Sequence, residues 1–580
     1  MEKEISTMKK LVSFLLALVL VLSSVSALAA YNDHTDYVDW PIVKDGEKLT
    51  VSVATKRSEQ YGKDPDQQWF WIWSETYSGI DFEVDQILST AVDERKSLMF
   101  ASGDLPDLLF GINLDTSELV RYGMGEGMLL DLTPYITPEI MPNLCKWIEA
   151  YPESIAYCTT PDGKIYTLPG YSDFYIQGDG PNAMQFNTEW LEEAGLEMPK
   201  TLDEFTAMLY KFKELHPDGY ALGSGAKNGE KAGDRDPRNY ILNAFGYLWP
   251  DTMVNSTGAY PAVREGKAVI PAYDDTFVEF LKLMNQYYTD GLMSSDFFTI
   301  DQTTAFAQLA EDAVGTYAGL AYLALPEKED FTKWVDASPL TSQWNDTAKA
   351  GALNKFRYGY VSLKADVEES KIVPIMKYLD AFYTDLLGMY LWCGPAANSS
   401  DTMGLIGGYM VTEDNAYVWL DAEGNKTDSQ AFMEGDAGNM SHGFGNRSHP
   451  LQNKEAFDAG VTNRPEMRSY YYNKDNILPY AYDPNFGSGA HLLNVRNNVE
   501  PYRTESFPMI VYYDEETTLA IDELHTILDP YIESEVAKFI TGARSTDEFP
   551  KFQEELKGMG VEELLGYYTT AYENYLSAQK

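Results

Sequence analysis

Short apolar segments with the spacing of β-strands alternate with segments that have the spacing of helices. Residues 49–54 and 80–84 are short and rich in β-branched or alternating apolar side chains, which is typical of strands. Residues 68–77 and 91–101 instead repeat apolar side chains every three to four positions, as amphipathic helices do. A further strand is predicted at 105–110. Strands that alternate with helices form parallel βαβ units, so the sequence predicts an α/β fold built in layers.

Further helices are predicted along the rest of the chain. Thr201 is followed by Glu204 at the spacing of a capping box, which predicts the start of a helix there. Another helix is expected over 277–288, and residues 517–580 have a helical pattern. Residues 401–515 are rich in Gly, Asn, Pro and Tyr, and we predict long ordered loops for them. With 580 residues the chain is several times one domain of ~100–200 residues, so at least two lobes are expected.

The first 29 residues have the pattern of a signal peptide. Lys9 and Lys10 precede an apolar run over 11–22, and small residues follow up to Ala29. This order is that of a secretory signal, and the apolar run is shorter than the ~20 residues of a membrane-spanning helix. We expect cleavage after Ala29 and an exported protein, extracellular or periplasmic. Because no cysteine stands at the cleavage site, no lipid anchor is expected.

The charge balance excludes two classes of partner. The chain has 44 Lys and Arg against 89 Asp and Glu, a net charge of −45. Such an acidic protein repels phosphate backbones and anionic lipid surfaces, so we expect no nucleic-acid partner and a soluble monomer. Its three cysteines, Cys145, Cys158 and Cys393, are too few for a disulfide framework, although the spacing of the first two permits one bond.

No sequence motif points to catalysis. The six histidines are scattered, and the chain has no His-Glu-x-x-His or Cys-x-x-Cys motif, so no metal site is predicted. Gly-x-Ser-x-Gly, Gly-x-Gly-x-x-Gly and Walker loops are absent too, so we expect no cofactor and no enzyme. With 89 acidic residues in the chain, the sequence does not exclude two carboxylates at the separation found in glycosidases.

Seven short blocks carry a resemblance to a known family. The strongest, residues 101–107, is Ala-Ser-Gly-Asp-Leu-Pro-Asp. The other six follow it in order at 127–136, 163–169, 187–196, 199–205, 212–219 and 537–542. Together they resemble the extracellular solute-binding proteins of bacterial ABC importers, family 1, LplA-like. The resemblance implies a type II periplasmic-binding-protein-like fold with two lobes, each a mainly parallel sheet flanked by helices, and a ligand cleft between them.

The predicted lobes are each discontinuous in sequence. We assign residues 31–170 and about 355–388 to an N-terminal lobe, and residues 171–354 and about 389–515 to a C-terminal lobe. Residues 516–580 are expected to form a helical segment that packs on the lobes. The chain would then cross between the lobes near Gly170, near Gly359 and near Trp392, and these crossings would act as hinges.

Candidate ligand-binding residues follow from the chemistry of a sugar. Sugars need hydrogen-bonding side chains for their hydroxyls and aromatic rings for their C–H faces. Loops at the carboxyl ends of strands face the ligand in α/β sheets. This rule selects Arg57, Asp104, Tyr171, Asp173 and Phe174, and the supply of large aromatics adds Trp249, Tyr322, Trp344, Trp392 and Tyr471. We rank Trp392 first, because residues 391–395 interrupt a helix. Trp69 and Trp73 lie four apart, which favours the core.

The leading hypothesis is therefore an exported binding protein that captures an oligosaccharide and delivers it to the membrane permease of an ABC importer. An exported glycoside hydrolase or lyase with an acidic aromatic cleft is one alternative. A peptide-binding protein of the same fold and a wall-associated adhesin are two others.

Overall fold

The computed structural model describes most of the chain after residue 39. The described residues are 40–44, 46–57, 64–172, 184–223, 236–250, 253–325, 328–352, 356–384, 387, 391, 409–411, 417–420, 426–427, 445–447 and 487–578. The predicted signal peptide over 1–29 lies outside them and stays a prediction. Within the described residues, no helix is long and apolar enough to cross a membrane.

The helices are numbered in chain order. They are α1 (Trp69–Ser78), α2 (Val92–Ser102), α3 (Thr116–Glu118), α4 (Pro142–Ala150), α5 (Glu153–Ala156), α6 (Thr188–Ala194), α7 (Leu202–Leu215), α8 (Pro237–Asn243), α9 (Phe277–Thr289), α10 (Gln302–Ala310), α11 (Lys328–Phe331), α12 (Glu369–Asp380), α13 (Gly487–Asn498), α14 (Glu515–Thr541), α15 (Phe549–Gly558) and α16 (Val561–Ala578). A π-helix, Leu119–Gly125, continues α3.

The strands are short and belong to several small sheets. They are β1 (Thr50–Arg57), β2 (Asp81–Leu88), β3 (Leu108–Phe110), β4 (Gly170–Ser172), β5 (Gln185–Asn187), β6 (Ala262–Arg264), β7 (Lys267–Val269), β8 (Thr316–Tyr317), β9 (Trp334–Asp336), β10 (Phe356–Arg357), β11 (Val361–Leu363), β12 (Tyr409–Val411), β13 (Tyr417–Leu420), β14 (Lys426–Thr427) and β15 (Gly445–Arg447).

The first sheet has the strand order β11-β3-β1-β2. β1 runs parallel to β2 and to β3, with Val51 opposite Phe82 and Val53 opposite Leu108, while β11 is antiparallel to β3. The connections through α1 and α2 make two consecutive βαβ units, which confirms the prediction from the alternating pattern.

A first core lies against this sheet. It is built by residues 43–168 together with 356–391, and it includes all three tryptophans of α1. Trp69 and Trp73 stack at 5.5 Å, and the hydroxyls of Ser74 and Tyr378 hydrogen-bond at 2.9 Å. α1 is apolar on several sides because the sheet covers one face and α12 another. The expectation that Trp69 and Trp73 are core residues is confirmed.

The second sheet, β8-β5-β9, is antiparallel in its named strands. This differs from the mainly parallel sheet expected in each lobe. β5, the first of the three strands along the chain, lies between β8 and β9 and runs opposite to both of them. Parallel pairing is found beside it, in single bridges that join Tyr220 to Val314 and Leu222 to Met293.

A second core surrounds this sheet. It is built by residues 184–344 and by residues 507–576, so that the three C-terminal helices pack into it. α9 contacts α14, where the amide of Asn285 donates to the carbonyl of Ile540 at 3.0 Å. The predicted capping box at the start of α7 is confirmed, with Thr201 Oγ1 accepting from the Glu204 amide at 3.1 Å and the Glu204 carboxylate accepting from the Thr201 amide.

The region predicted as loops, 401–515, contains regular structure where it is described. β12, β13 and β14 form an antiparallel sheet, and α13 packs against β9. The prediction missed α13 because its sequence, with two glycines and three asparagines, has low helix propensity. Tertiary contacts stabilise it instead, since His491 is 2% exposed.

The two cores are joined by paired strands. β4 follows the first part of the first core, which ends at residue 168, and β10 starts its second part at Phe356. The two strands pair antiparallel with Tyr171 opposite Phe356. These strands lie at or near the predicted crossings at Gly170 and Gly359. The predicted crossing near Trp392 lies outside the described residues. The lobe boundaries and the hinge role stay predictions.

Candidate functional site

At the carboxyl edge of the first sheet, the loop that follows β3 is held by backbone hydrogen bonds. After β3, residues 111–115 are bound to the turn that precedes β11: Gly111 donates to the Tyr360 carbonyl at 2.7 Å and Leu114 to the Gly359 carbonyl at 2.8 Å. Gly359 has a φ of +81°, and a Cβ there would lie 1.9 Å from the Leu114 carbonyl oxygen. This position therefore requires glycine.

The loop continues into α3, whose start is fixed by polar contacts. The Asp115 carboxylate accepts from the Glu118 amide at 2.9 Å, and Glu118 accepts from the Asp115 amide at 3.0 Å. Lys96, from α2, pairs with Glu118 at 2.8 Å. As a result Thr116 and Ser117 are held at the end of the first core, next to α14 of the second.

A connecting segment, residues 506–513, touches both cores. Tyr512 packs on the first core and donates its hydroxyl to the Tyr157 carbonyl at 2.8 Å. Val511 and Tyr513 pack on the second core. The segment ends at Asp514, whose carboxylate caps α14 by accepting from the Thr517 amide at 2.9 Å.

Two cavities flank this segment, and both are lined by residues of the two cores. The first, which we call the junction cavity, has a volume of about 200 Å³. Its lining includes Thr116, Ser117, Tyr260, Tyr513, Asp522 and His525. The second cavity, of about 270 Å³, is lined by more apolar side chains, among them Tyr157, Pro250, Phe507, Met509 and Tyr575.

A hydrogen-bonded network forms one wall of the junction cavity. His525 Nδ1 lies 2.8 Å from Asp529 Oδ1, and its Nε2 contacts the Tyr568 hydroxyl. A carboxylate only accepts, so Nδ1 carries a proton and donates to Asp529. Tyr260 stacks on His525 with ring centroids 5.2 Å apart, and it donates to Asp529 Oδ2 at 3.1 Å. Burial raises the pKa of both tyrosines, and Asp529 raises it further.

Two polar groups of the cavity lining keep hydrogen-bonding capacity: the exposed Asp522 carboxylate and the buried Tyr513 hydroxyl. Burial raises the pKa of Asp522; the Ser117 hydroxyl, a hydrogen-bond donor from the other core, opposes this, and nearby Asp115 adds to it. The buried Tyr513 hydroxyl has no hydrogen-bond partner within the described part of the chain. Burial also raises the pKa of Tyr513, so this group is a neutral donor. The cavity thus combines aromatic faces with one carboxylate acceptor and one unused hydroxyl donor.

The edge of the second sheet at which β8 and β9 end and β5 begins carries another polar cluster. His491 Nδ1 lies 2.9 Å from Asp336 Oδ2, and Gln185 donates to the same oxygen at 3.2 Å. Asp336 Oδ1 is buried and has no partner among the residues that are described. Tyr322, half-buried, lies beside His491 with ring centroids 5.9 Å apart.

Two of the predicted ligand residues lie at these edges of the two sheets. Arg57 ends β1 of the first sheet, and Tyr322 follows β8 of the second. Asp104 does not, because it lies between α2 and the start of β3, at the opposite edge of the first sheet from Arg57. The carboxyl-edge argument for Asp104 is therefore wrong.

Two predicted aromatics belong to the second core. Trp249 is 1% exposed, and its indole Nε1 donates to the Met253 carbonyl at 2.9 Å. That burial leaves no ring face open to a ligand, so the structure contradicts its selection as a platform. Trp344 is half-buried and stacks on Phe245 at 4.5 Å, which covers one of its faces.

The remaining predicted residues cannot be placed against the cavities. Asp173, Phe174, Trp392 and Tyr471 lie outside the described residues, and of Tyr171 only the strand backbone in β4 is described. They stay predictions.

The residues that line the junction cavity were not selected from the sequence. Tyr260 is more than 250 positions away from Asp522 and His525 in the sequence. Asp522 and His525 lie on a predicted helix whose pattern indicated a structural role. One signal was present: His525 and Asp529 are four apart, the spacing at which helical side chains meet. A second was the uncharged, aromatic-rich run 507–513 directly before a capped helix.

Comparisons with known proteins agree with this architecture. The model of the family described as bacterial extracellular solute-binding protein matches residues 54–422. The fructooligosaccharide ABC transporter substrate-binding protein FusA of Streptococcus pneumoniae is 28% identical over 329 residues, 53% of this chain and 58% of FusA. The chain thus spans little more than half the length of this curated relative.

Solved structures resemble the chain over most of its length. A FusA structure, of an EF-hand mutant in complex with fructo-nystose, has a TM-score of 0.70 at 19% identity and covers 92% of this chain and 100% of its own. An HMO-binding, ABC-transporter-associated solute-binding protein from Bifidobacterium longum infantis has a TM-score of 0.66 at 18% identity, with 92% and 99% covered. These likenesses confirm the predicted fold class.

Proposed function

The chain belongs to the family of bacterial extracellular solute-binding proteins, and from this premise we propose that it captures an oligosaccharide between its two cores and delivers it to the membrane permease of an ABC importer. The observation that carries the proposal is the junction cavity, because both cores contribute to its lining. A solute bound there would contact two bodies at once.

Such a position gives the ligand control over the arrangement of the cores. A ligand that contacts both cores binds the closed arrangement better than an open one, so it shifts the population toward closure. We propose that the cores form two lobes with the predicted boundaries, and that paired strands β4 and β10 are the hinge. The closed form would be the one that the permease recognises.

The chemistry of the cavity supports a carbohydrate cargo. Tyr260 offers a ring, Asp522 accepts hydrogen bonds and Tyr513 donates one, which are the three contacts that a sugar ring needs. FusA, the curated relative, is named for fructooligosaccharide binding. Arg57 and Tyr322 would extend the site along the edges of the two sheets at which β1 and β8 end. The protein would bind its ligand outside the cell without cleaving it.

A thermal-shift screen of the mature protein against mono- and oligosaccharides, with a peptide set beside it, tests this function. A ligand that binds only the folded state raises its stability by RT ln(1 + [L]/Kd), about 2.7 kcal/mol at 100 times Kd. We expect a shift with one class of glycan, and chromatography that shows the glycan intact. A shift with peptides alone would overturn the proposal of a carbohydrate cargo. Cleavage products would favour the hydrolase alternative.

A further inference from the structure

We propose that the junction cavity selects an uncharged sugar ring and rejects a sugar that carries a carboxylate. This inference rests on the proposed function and specifies the ligand class for the same site. It follows from the charges that line and surround the cavity rather than from its shape.

The lining of the cavity contains a carboxylate and no strong cation. Asp522 is its one acidic side chain, and neither lysine nor arginine occurs among the described lining residues. His525, the other ionisable group apart from tyrosines, already faces Asp529 at 2.8 Å. A sugar carboxylate would therefore meet a like charge and no unpaired partner of opposite charge.

The groups behind the lining strengthen this bias. Asp115 lies close enough to Asp522 to raise its pKa, and Asp529 lies behind Tyr260. Arg121, whose charge acts on Asp522, is itself bound to Glu126 at 2.7 Å. The local field is therefore negative, as is the field of the whole chain with its net charge of −45.

A neutral ring meets none of these penalties. Its hydroxyls can donate to Asp522 and accept from the unpartnered Tyr513 hydroxyl, and its C–H face can lie on an aromatic side chain. A carboxylate could also accept from Tyr513, but one neutral donor does not replace the water that an anion loses on burial. Selection then arises from repulsion as well as from fit.

The experiment compares a glycan with its own oxidised form. Whichever neutral oligosaccharide the mature protein binds is oxidised at its primary hydroxyls to carboxylates, and both forms are titrated by calorimetry. We expect the oxidised form to bind at least about tenfold more weakly at low ionic strength. The difference should shrink in 1 M salt, where the Debye length falls to about 3 Å. Equal or tighter binding of the oxidised form would overturn the inference.

A substitution assigns the effect to the cavity. Asp522→Asn removes the charge from the cavity lining and keeps a hydrogen-bonding group. It should therefore reduce the ratio of the affinities for the neutral and the oxidised glycan severalfold. Asp203→Asn is the matched control: it makes the same change on an exposed residue in the first turn of α7 and should leave the ratio unchanged. An unchanged ratio in Asp522→Asn would contradict the proposal.

The outcomes separate this inference from the proposed function. If the protein binds neutral and oxidised glycans alike, the oligosaccharide function stands and the charge selection fails. If no glycan of either kind binds, the proposed function fails and the inference fails with it. The salt series on the wild type keeps the test decisive even where Asp522→Asn does not fold.

Discussion

Asp107, the last residue of the strongest family block, ties four elements of the first core together. Its carboxylate accepts from the Ser52 amide at 3.2 Å and binds the ammonium groups of Lys371 at 2.8 Å and Lys364 at 3.2 Å. Burial raises the pKa of this carboxyl, but these partners outweigh burial and lower it overall. The block is thus a structural clamp of β1, β3, β11 and α12.

Asp107→Asn should lower the free energy of unfolding by about 2–4 kcal/mol, since it leaves two partly buried ammonium groups without a charged partner. Urea denaturation measures this. Asp104→Asn, three positions earlier and exposed, should change it by less than about 0.5 kcal/mol. Because the folded pKa of Asp107 is depressed, the contribution should be lost as pH falls through that pKa. Equal effects of the two substitutions would refute the clamp.

The contribution of Asp380 to stability changes with pH in the opposite direction to that of Asp107. Burial raises its pKa to about 6, although the amides of Asn143 and Leu144 at the start of α4 donate to it and lower the pKa. A carboxyl with a raised folded pKa binds more protons in the folded state, so stability falls as pH rises from about 4 to about 6. We expect Asp380→Asn to flatten this part of the stability–pH curve, measured by thermal unfolding. If the slope of stability against pH persists in the variant, it arises from other titrating groups.

At the scale of elements, Gly359 connects the hinge region to the loop that leads to the junction cavity. Gly359→Ala places a Cβ against a backbone oxygen at a positive φ, so both strain and a clash are expected. We predict a loss of at least about 2–3 kcal/mol in unfolding free energy and weaker glycan binding, because residues 111–117 would shift. Gly163→Ala is the control, since φ there is +79° with no neighbouring atom within 4 Å, and it should cost about 1 kcal/mol. Similar costs at both positions would mean that the close approach has no effect.

The elements also show which features a sequence can reveal. The βαβ units, the α7 capping box and the core tryptophans of α1 depend on neighbouring residues, so local pattern predicted them. The direction of β5 depends on where the chain enters the second sheet, and α13 depends on packing against β9. Neither is encoded in a local pattern.

The junction cavity illustrates the same limit at the site. Ser117, Tyr260 and His525 come from distant parts of the chain and meet only in the folded structure, where the two cores adjoin. The carboxyl-edge rule selected Arg57, which ends a strand of the first sheet, and the supply of large aromatics added Tyr322, which follows a strand of the second. It could not find residues that reach the cavity from the C-terminal helices.

For the whole molecule, ligand binding and shape are linked. If a glycan in the junction cavity contacts both cores, the protein should become more compact when the glycan binds, and small-angle scattering should show a smaller radius of gyration. Without ligand, we expect open arrangements to be populated, in which the hydrogen bond between the Ser117 hydroxyl and the Asp522 carboxylate is broken.

Tyr260→Ala should separate compaction from general effects of the ligand. Removing the ring takes an aromatic side chain out of the cavity lining, so affinity should fall by about 1–2 kcal/mol, or roughly 5- to 30-fold. At a glycan concentration that compacts the wild type, this variant should keep the larger radius, and a saturating concentration should restore compaction. Tyr210→Ala, an exposed tyrosine on α7, should behave as the wild type. Compaction of Tyr260→Ala at the wild-type concentration would place the ligand elsewhere, and no compaction of the wild type at saturation would mean that the protein binds its cargo without closing.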